Sequence, residues 1–393
     1  THVPIYTVPF RCLYSRNIEN LLMAGRDMSV SHVALGSVRV QGTLSSFGQA
    51  AGTAAAMCVE KGITPRELGR DHIALLQQTL MKHDQYIPEV LNEDPGDLAR
   101  SATIAASSKK TVDEFGMDEY VHEDSHPLNM SRAVMFPRGE GERIDTIYAR
   151  LASTNGEPIE TTLHLREAGE SGDFSSMDDI ATVTVAVPPG KEGWVEFEVD
   201  CEVDSPFAWL WLPKTEGVEW MMMSKAPLGS CRSYGGSTDG KWTVRTGEYY
   251  GFATDPPIAL PVEFPPENIS NGVTRIVGAA PNMWASDPTQ DLPQHVELTW
   301  NEPREINAVY LIFDTDMNAK FHTVPIPRES VRDYELSYDD GGEWRSLATE
   351  TGNFQRRRAH HFEAVTTSKL RLTVTATNGA KSARVFEIRV YNE

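Results

Sequence analysis

The fold is decided by the stretch GRDMSVSHVALGSVR (residues 25–39), continued by GQAAGTAAA (residues 48–56). Gly48, Gly52 and Ala56 stand four apart and so share one face of a helix. That helix is expected from about Ser46 to Lys61, stopped by Gly62. A face with so little bulk lets another group approach the backbone closely. Its N-terminus would carry unpaired N–H groups and partial positive charge. Such an end can hold an electron-rich group, a phosphate or a ring carbonyl. A small-residue helix packed tightly on a sheet explains the same composition, and both readings stand at this point.

Outward from this stretch, Ile5 to Leu13 reads as extended. Residues 20–25, NLLMAG, read as a short buried strand ending in glycine. A serine-containing loop with His32 follows. A second helix is announced by a capping box, with Thr64 as cap, Pro65 in the first turn and Glu67 three residues on. Ile73, Leu76, Leu80 and Met81 continue an apolar helical face.

Beyond residue 95 the pattern changes to strict alternation. Residues 180–187, 194–199 and 207–212 predict strands of one β-sandwich. Residues 295–300, 308–313, 334–338, 369–374 and 385–391 predict a second, with a hairpin turn at Asp339-Asp-Gly-Gly342. Five prolines between Pro256 and Pro266 suggest a linker. The expected organisation is an N-terminal α/β fragment over residues 1–95, a β-sandwich over 96–255, a proline-rich linker over 256–271, and a β-sandwich over 272–393. The fold class is mainly β, with jelly-roll-like sandwiches.

Charge and composition narrow the function. The chain has 393 residues, and 36 basic against 56 acidic side chains give −20. Such a surface repels phosphate backbones, so no nucleic-acid partner is expected. No window approaches 18 uninterrupted apolar residues, so no membrane span is expected. Four scattered cysteines fit neither a disulfide framework nor a zinc site. They do not decide the compartment, and a periplasmic or extracellular location is favoured slightly over a cytoplasmic one. Six carboxylates lie between Asp113 and Asp124, among them Asp118 and Glu119; such a run reads as a solvated acidic loop before it reads as a metal site.

Five segments together carry a resemblance: RCLYS (11–15), NLLMAGR (20–26), SHVALGS (31–37), Arg39 and GQAAGTAAA (48–56). From Tyr6 to Leu68 the chain resembles the C-terminal end of the FAD-dependent oxidoreductases with a glutathione-reductase-like Rossmann fold. The resemblance implies that Gly25, Arg26 and Asp27 meet the phosphate and ribityl region of FAD. It implies that Gly48, Gln49, Ala50 and Ala51 give main-chain contacts to the flavin pyrimidine ring. N–H donors there would stabilise negative charge on the reduced ring. The Gly-x-Gly-x-x-Gly fingerprint of that family is absent from the chain. The expectation is therefore a C-terminal part or subunit, inactive alone, whose partner is an N-terminal FAD-binding chain or domain.

His32 is the candidate general base, taking a hydroxyl proton as hydride moves to the flavin. Structural bonding to loop carbonyls is the competing account. Arg39 could orient an oxygen-rich substrate or pair with a carboxylate. The third part resembles the discoidin or coagulation-factor type-C domains, on WASD (284–287), VELTW (296–300), INAVY (306–310), YEL (334–336) and FEIRV (386–390). That resemblance implies glycan binding and a structural calcium, with Glu387 and Asn271 as candidate ligands. Trp284, Trp300 and Trp344 are candidate sugar platforms, each of which competes with a place in the core. Two functions follow as expectations. One is dehydrogenation of a sugar or other polyhydroxylated substrate by an FAD-dependent oxidoreductase of which this chain is part. The other is a non-catalytic carbohydrate-binding or adhesion protein.

Overall fold

The computed structural model describes residues 6–115, 121–138, 141–190, 192–223, 226–235, 241–245, 248–317 and 326–393. Asp118 and Glu119 of the acidic run, and Ile5, lie outside the described residues.

The N-terminal region is helical, with its own core. Its elements are α1 (His32–Val38), α2 (Gln41–Lys61), α3 (Pro65–Asp71) and α4 (Ile73–Lys82). The capping box at Thr64 forms as the spacing predicts: the Thr64 hydroxyl accepts from Glu67 N–H at 3.3 Å, and the Glu67 carboxylate accepts from Thr64 N–H at 2.8 Å. The Thr64 amide and hydroxyl hold the Glu67 carboxyl below its ordinary range. Leu13, Ala54, Leu68, Leu76 and Leu80 form the centre of this core.

Four expectations are corrected here. First, α2 starts at Gln41, not near Ser46. No proline interrupts residues 41–47, and the Ser45 and Ser46 hydroxyls bond back to the carbonyls of Gln41 and Gly42, so the helix absorbs them. Second, His32 opens α1 instead of lying in a loop, because Ser31 caps that helix by accepting from Ala34 N–H. Third, residues 20–25 are not a strand. They make one bridge, Tyr14 to Leu22, with Met23 N–H on Leu13 O at 2.8 Å. A strand needs neighbours on its edges, and here only residues 13–15 supply any. Within the stretch expected to be extended, Phe10–Leu13 likewise forms a 3₁₀ helix.

The middle sandwich packs two antiparallel sheets. One contains the strands Val121–Pro127, Val218–Met223, Glu142–Ser153, Gly193–Val203 and Phe252–Asp255; the other runs Trp242–Arg245, Cys231–Gly235, Ser131–Pro137, Phe207–Leu212, Ile159–Ala168 and Ala181–Val187. Phe136, Phe197, Trp220 and Phe252 fill the space between them. The last sandwich is built from two long bent strands, Gln294–Phe313 and Arg357–Thr377, which pair along their length and break register between Thr299 and Arg304. The Asp339 turn joins Val331–Asp340 to Glu343–Glu350, with Gly341 and Gly342 at positive φ.

The boundaries also move. The strand Thr103–Ala106 pairs with Val296–Thr299 and so belongs to the last sandwich. The proline-rich linker is itself ordered: Ile258–Glu263 pairs with Thr111–Phe115, and Pro266–Ser270 forms a 3₁₀ turn.

Polar contacts fasten the helical region to the last sandwich. The Arg356 guanidinium donates to both oxygens of Asp84 (2.7 and 3.3 Å), to Phe313 O and to Thr274 O. The Lys82 ammonium pairs with Glu393 and sits 3.9 Å from the Tyr391 ring centroid. Both partners of the Arg356–Asp84 pair are 12% exposed, so solvent screens the pair little. Arg356→Ala is expected to destabilise the chain by about 2–3 kcal/mol. In a denaturation double-mutant cycle with Asp84→Ala the two losses should fall well short of adding.

Gly52 lies mid-helix and exposed, with nothing within 4 Å of an added Cβ. Gly52→Ala is expected to raise the stability of this chain by about 0.5–1 kcal/mol in urea denaturation.

Candidate functional site

The site begins with the first turn of α2. Its cap is Val40, which has no side-chain oxygen to offer. The N–H groups of Gln41, Gly42 and Thr43 precede the first intrahelical bond, Leu44 N–H to Val40 O. They have no hydrogen-bond partner among the described residues. Val40 is 61% exposed, so this end of the helix is open.

Gly48, Gln49, Ala50 and Ala51 fall in mid-helix. Their N–H groups belong to the helical ladder and are not donors to a ligand. This corrects the expected pyrimidine contacts; the open donors lie seven residues earlier. Sequence reading missed them because GQAAG is the conspicuous word, whereas the signal is the absence of Ser, Thr, Asp or Asn at position 40. Gln49 is committed elsewhere: its Nε2 donates to His83 O at 3.3 Å.

The small-residue stripe has a different role. Gly48, Gly52 and Ala56 are exposed, and nothing lies within 4 Å of a Cβ built on either glycine. Ala50, Ala54, Met57 and Cys58, on the other side of α2, are buried. Val33 and Val59 stand 86% and 84% exposed. One side of α2 is therefore core and the other is bare.

The remaining candidates surround this helix. Gly25–Asp27 forms a 3₁₀ turn that packs on α2. Gly25 has φ +74, a conformation glycine adopts without strain. Arg26 and Asp27 are exposed. His32 and Arg39 are exposed at opposite ends of α1, roughly 10 Å apart along its axis. Arg39 immediately precedes Val40, beside the open turn.

The calcium candidates are already engaged. Both Glu387 oxygens accept from the Arg389 guanidinium, at 2.7 and 3.1 Å, in a pair almost fully buried. Burial pushes the Glu387 carboxyl up, to about 7, against the pull of Arg389. The Asn271 carbonyl oxygen accepts from Val273 N–H, and its amide donates to Asn282 and Asn268. As placed, neither is a free cation ligand. Among the described residues no group of three or more His, Cys, Asp or Glu could hold a metal ion.

Two of the three candidate sugar platforms are core. Trp284 and Trp300 are buried and donate to Ser108 O and Leu98 O. Trp344 is half-buried beneath Arg371, whose guanidinium carbon is 3.8 Å from the ring centroid. Among the described residues of this sandwich, Phe354 is an exposed aromatic, at 58%. The Asn353 side chain pins its loop by bonding Val331 O, Gln355 O and Gln355 N–H. All four cysteines are free thiols. No described helix is long and apolar enough to cross a membrane.

Comparison with known proteins gives the following. None of the curated proteins matches the chain significantly. Among solved structures, the family 32 carbohydrate-binding module of Streptococcus pneumoniae EndoD is 23% identical, covers 32% of this chain and 84% of its own, and has a TM-score of 0.27. The family 32 module of Clostridium perfringens NanJ, solved with galactose, is 17% identical over 33% and 85%, with a TM-score of 0.27. The family of FAD dependent oxidoreductases matches residues 1–80, the segment that supplies the Gly25 turn, α1 and α2, so the chain carries an FAD-oxidoreductase segment followed by β-sandwiches.

Proposed function

We propose that this chain supplies the C-terminal, flavin-facing part of an FAD-dependent oxidoreductase. Its partner is a polypeptide carrying the dinucleotide fingerprint. The observation that carries the reading is the two-sided α2, with one side core, the other a bare glycine stripe, and three open N–H donors at its start. The donors of Gln41, Gly42 and Thr43 suit the pyrimidine carbonyl of a flavin. Gly25, Arg26 and Asp27 suit the phosphate and ribityl region. The bare stripe suits close packing of the sheet that would complete the domain.

When bound, FAD would supply the two-electron acceptor. The substrate we propose is a sugar or other polyhydroxylated compound. His32 takes the proton from the hydroxyl being oxidised, and Arg39 orients the neighbouring oxygens. The open donors of α2 act as a fixed positive end that favours added negative charge beside them.

A second reading has its own observation. Phe354, exposed on a pinned loop, offers an apolar face to a sugar ring, as a non-catalytic carbohydrate-binding or adhesion protein would require. In the first reading the same loop would position the substrate or the assembly.

Absorption spectra separate the two. The chain purified alone should lack flavin bands, and the chain with the fingerprint-bearing polypeptide should show them. Gly52→Leu should leave this chain folded yet abolish the bands, since its side chain would intrude between helix and sheet. Flavin bands in neither sample would leave the carbohydrate-binding reading.

In the flavin-loaded complex, His32→Ala should lower kcat by roughly 10²–10⁴ with flavin content unchanged. Full turnover in that variant would remove His32 from the mechanism.

A further inference from the structure

A cleft of about 1180 Å³ lies on the core side of α2. Thr43, Phe47 and Ala50 line it, and helical geometry turns these residues roughly half a revolution from the Gly48 stripe. The cleft and the bare stripe are therefore different surfaces, and covering one leaves the other open.

Three features define what the cleft would take. Its volume is on the scale of pockets for small organic ligands, roughly 300–1,000 Å³, with some space to spare. Its walls are largely apolar, with Phe10, Tyr14, Ile73 and Leu76 among them. Its charge opposes that of the molecule. Arg11, Arg66 and Arg70 face one acid, Glu89, so three cations less one anion leave +2 at the lining of a chain whose net charge is −20.

Arg66 is held in place. Its Nη2 donates to Arg16 O at 2.9 Å, and its guanidinium lies 5.7 Å from the Tyr14 ring centroid. Arg70 pairs with Asp71 through Nε and Nη2 and so contributes a weaker field.

We propose that this cleft binds an amphipathic small molecule, with an apolar body and an anionic head such as a carboxylate. The apolar body lies against Phe10, Phe47 and Leu76, and the anionic head meets Arg66. The cleft also reaches Gly42 and Thr43, so the bound molecule touches the first turn of α2. Only the further statement that it then lies beside a flavin rests on the function proposed above.

The test uses the full chain without flavin, so its outcome is independent of cofactor binding. Anilinonaphthalene sulfonate is titrated to a one-to-one endpoint and displaced by laurate or by dodecanol. Laurate should displace it more tightly than dodecanol. Arg66→Gln with Arg70→Gln should weaken laurate about tenfold and leave dodecanol unchanged. Ser46→Trp, at the lining, should block both, with an unaltered thermal midpoint showing that the fold is intact. Equal affinity for laurate and dodecanol, indifference to the arginine pair, or unimpaired binding in a folded Ser46→Trp variant would overturn the proposal. So would loss of the site on adding the fingerprint-bearing polypeptide, since the cleft would then be a seat for protein.

Discussion

Everything proposed for the helical region depends on the uneven distribution of side-chain volume around α2. On one side Ala54 is fully buried, and Met57 and Cys58 are close to it. On the other, Gly48, Gly52 and Ala56 leave the backbone bare, flanked by Val59 at 84% exposure. Helices in contact with water ordinarily turn charged side chains outward, and this stripe has none. Each glycine also costs roughly 1 kcal/mol of helix stability relative to alanine. Two of them, four residues apart, make sense where something must come close to the backbone. Burying a valine such as Val33 or Val59 contributes about 1.5–3 kcal/mol, so an approaching partner has a driving force.

That bare side is held in a defined place because the helical region is fastened from behind. Arg356 joins Asp84 to two carbonyls of the last sandwich, and Lys82 rests on Tyr391. The core around Leu76 and Leu80 is made of residues from the helical region itself. The seam between the two is thus charged and aromatic, whereas each body keeps its own apolar core. The sandwich acts as a mount that fixes the C-terminal end of α4 and, through it, the helix packed on it.

The sandwiches were the most legible part of the sequence, because a period of two is a local signal. The run Phe207–Leu212 is a strand with the same limits in both readings. What alternation could not reveal is that two predicted strands, 295–300 and 308–313, are one long strand, interrupted only by shifts of register. It also could not assign Thr103–Ala106 to a sheet nearly two hundred residues away in sequence. In the helical region the Thr64 box was readable from three residues. The start of α2 was not, since serines at 45 and 46 look like caps until their hydroxyls are seen bonding backward along the helix. Glu387 misled for a similar reason: its carboxylate is matched by Arg389 two residues on, and alternation in a strand places both on one face.

The cap of α2 links the stability of the fold to its use. A Ser, Asp or Asn at position 40 would turn its side chain onto the first N–H groups and contribute about 1 kcal/mol. Val40 forgoes that, as α1 and α3 do not: Ser31 and Thr64 cap their helices in the ordinary way. Of the four helices, α1 and α3 have a side-chain cap and α2 and α4 do not, and α2 is the longest of them. The same first turn holds Gly42, a poor helix former with no Cβ to shield the backbone. An uncapped, unshielded and exposed turn on a 21-residue helix is destabilising for the chain alone. Water reaches these N–H groups in the chain alone, and the position a capping oxygen would fill stays open to an acceptor from outside, as the proposed function requires.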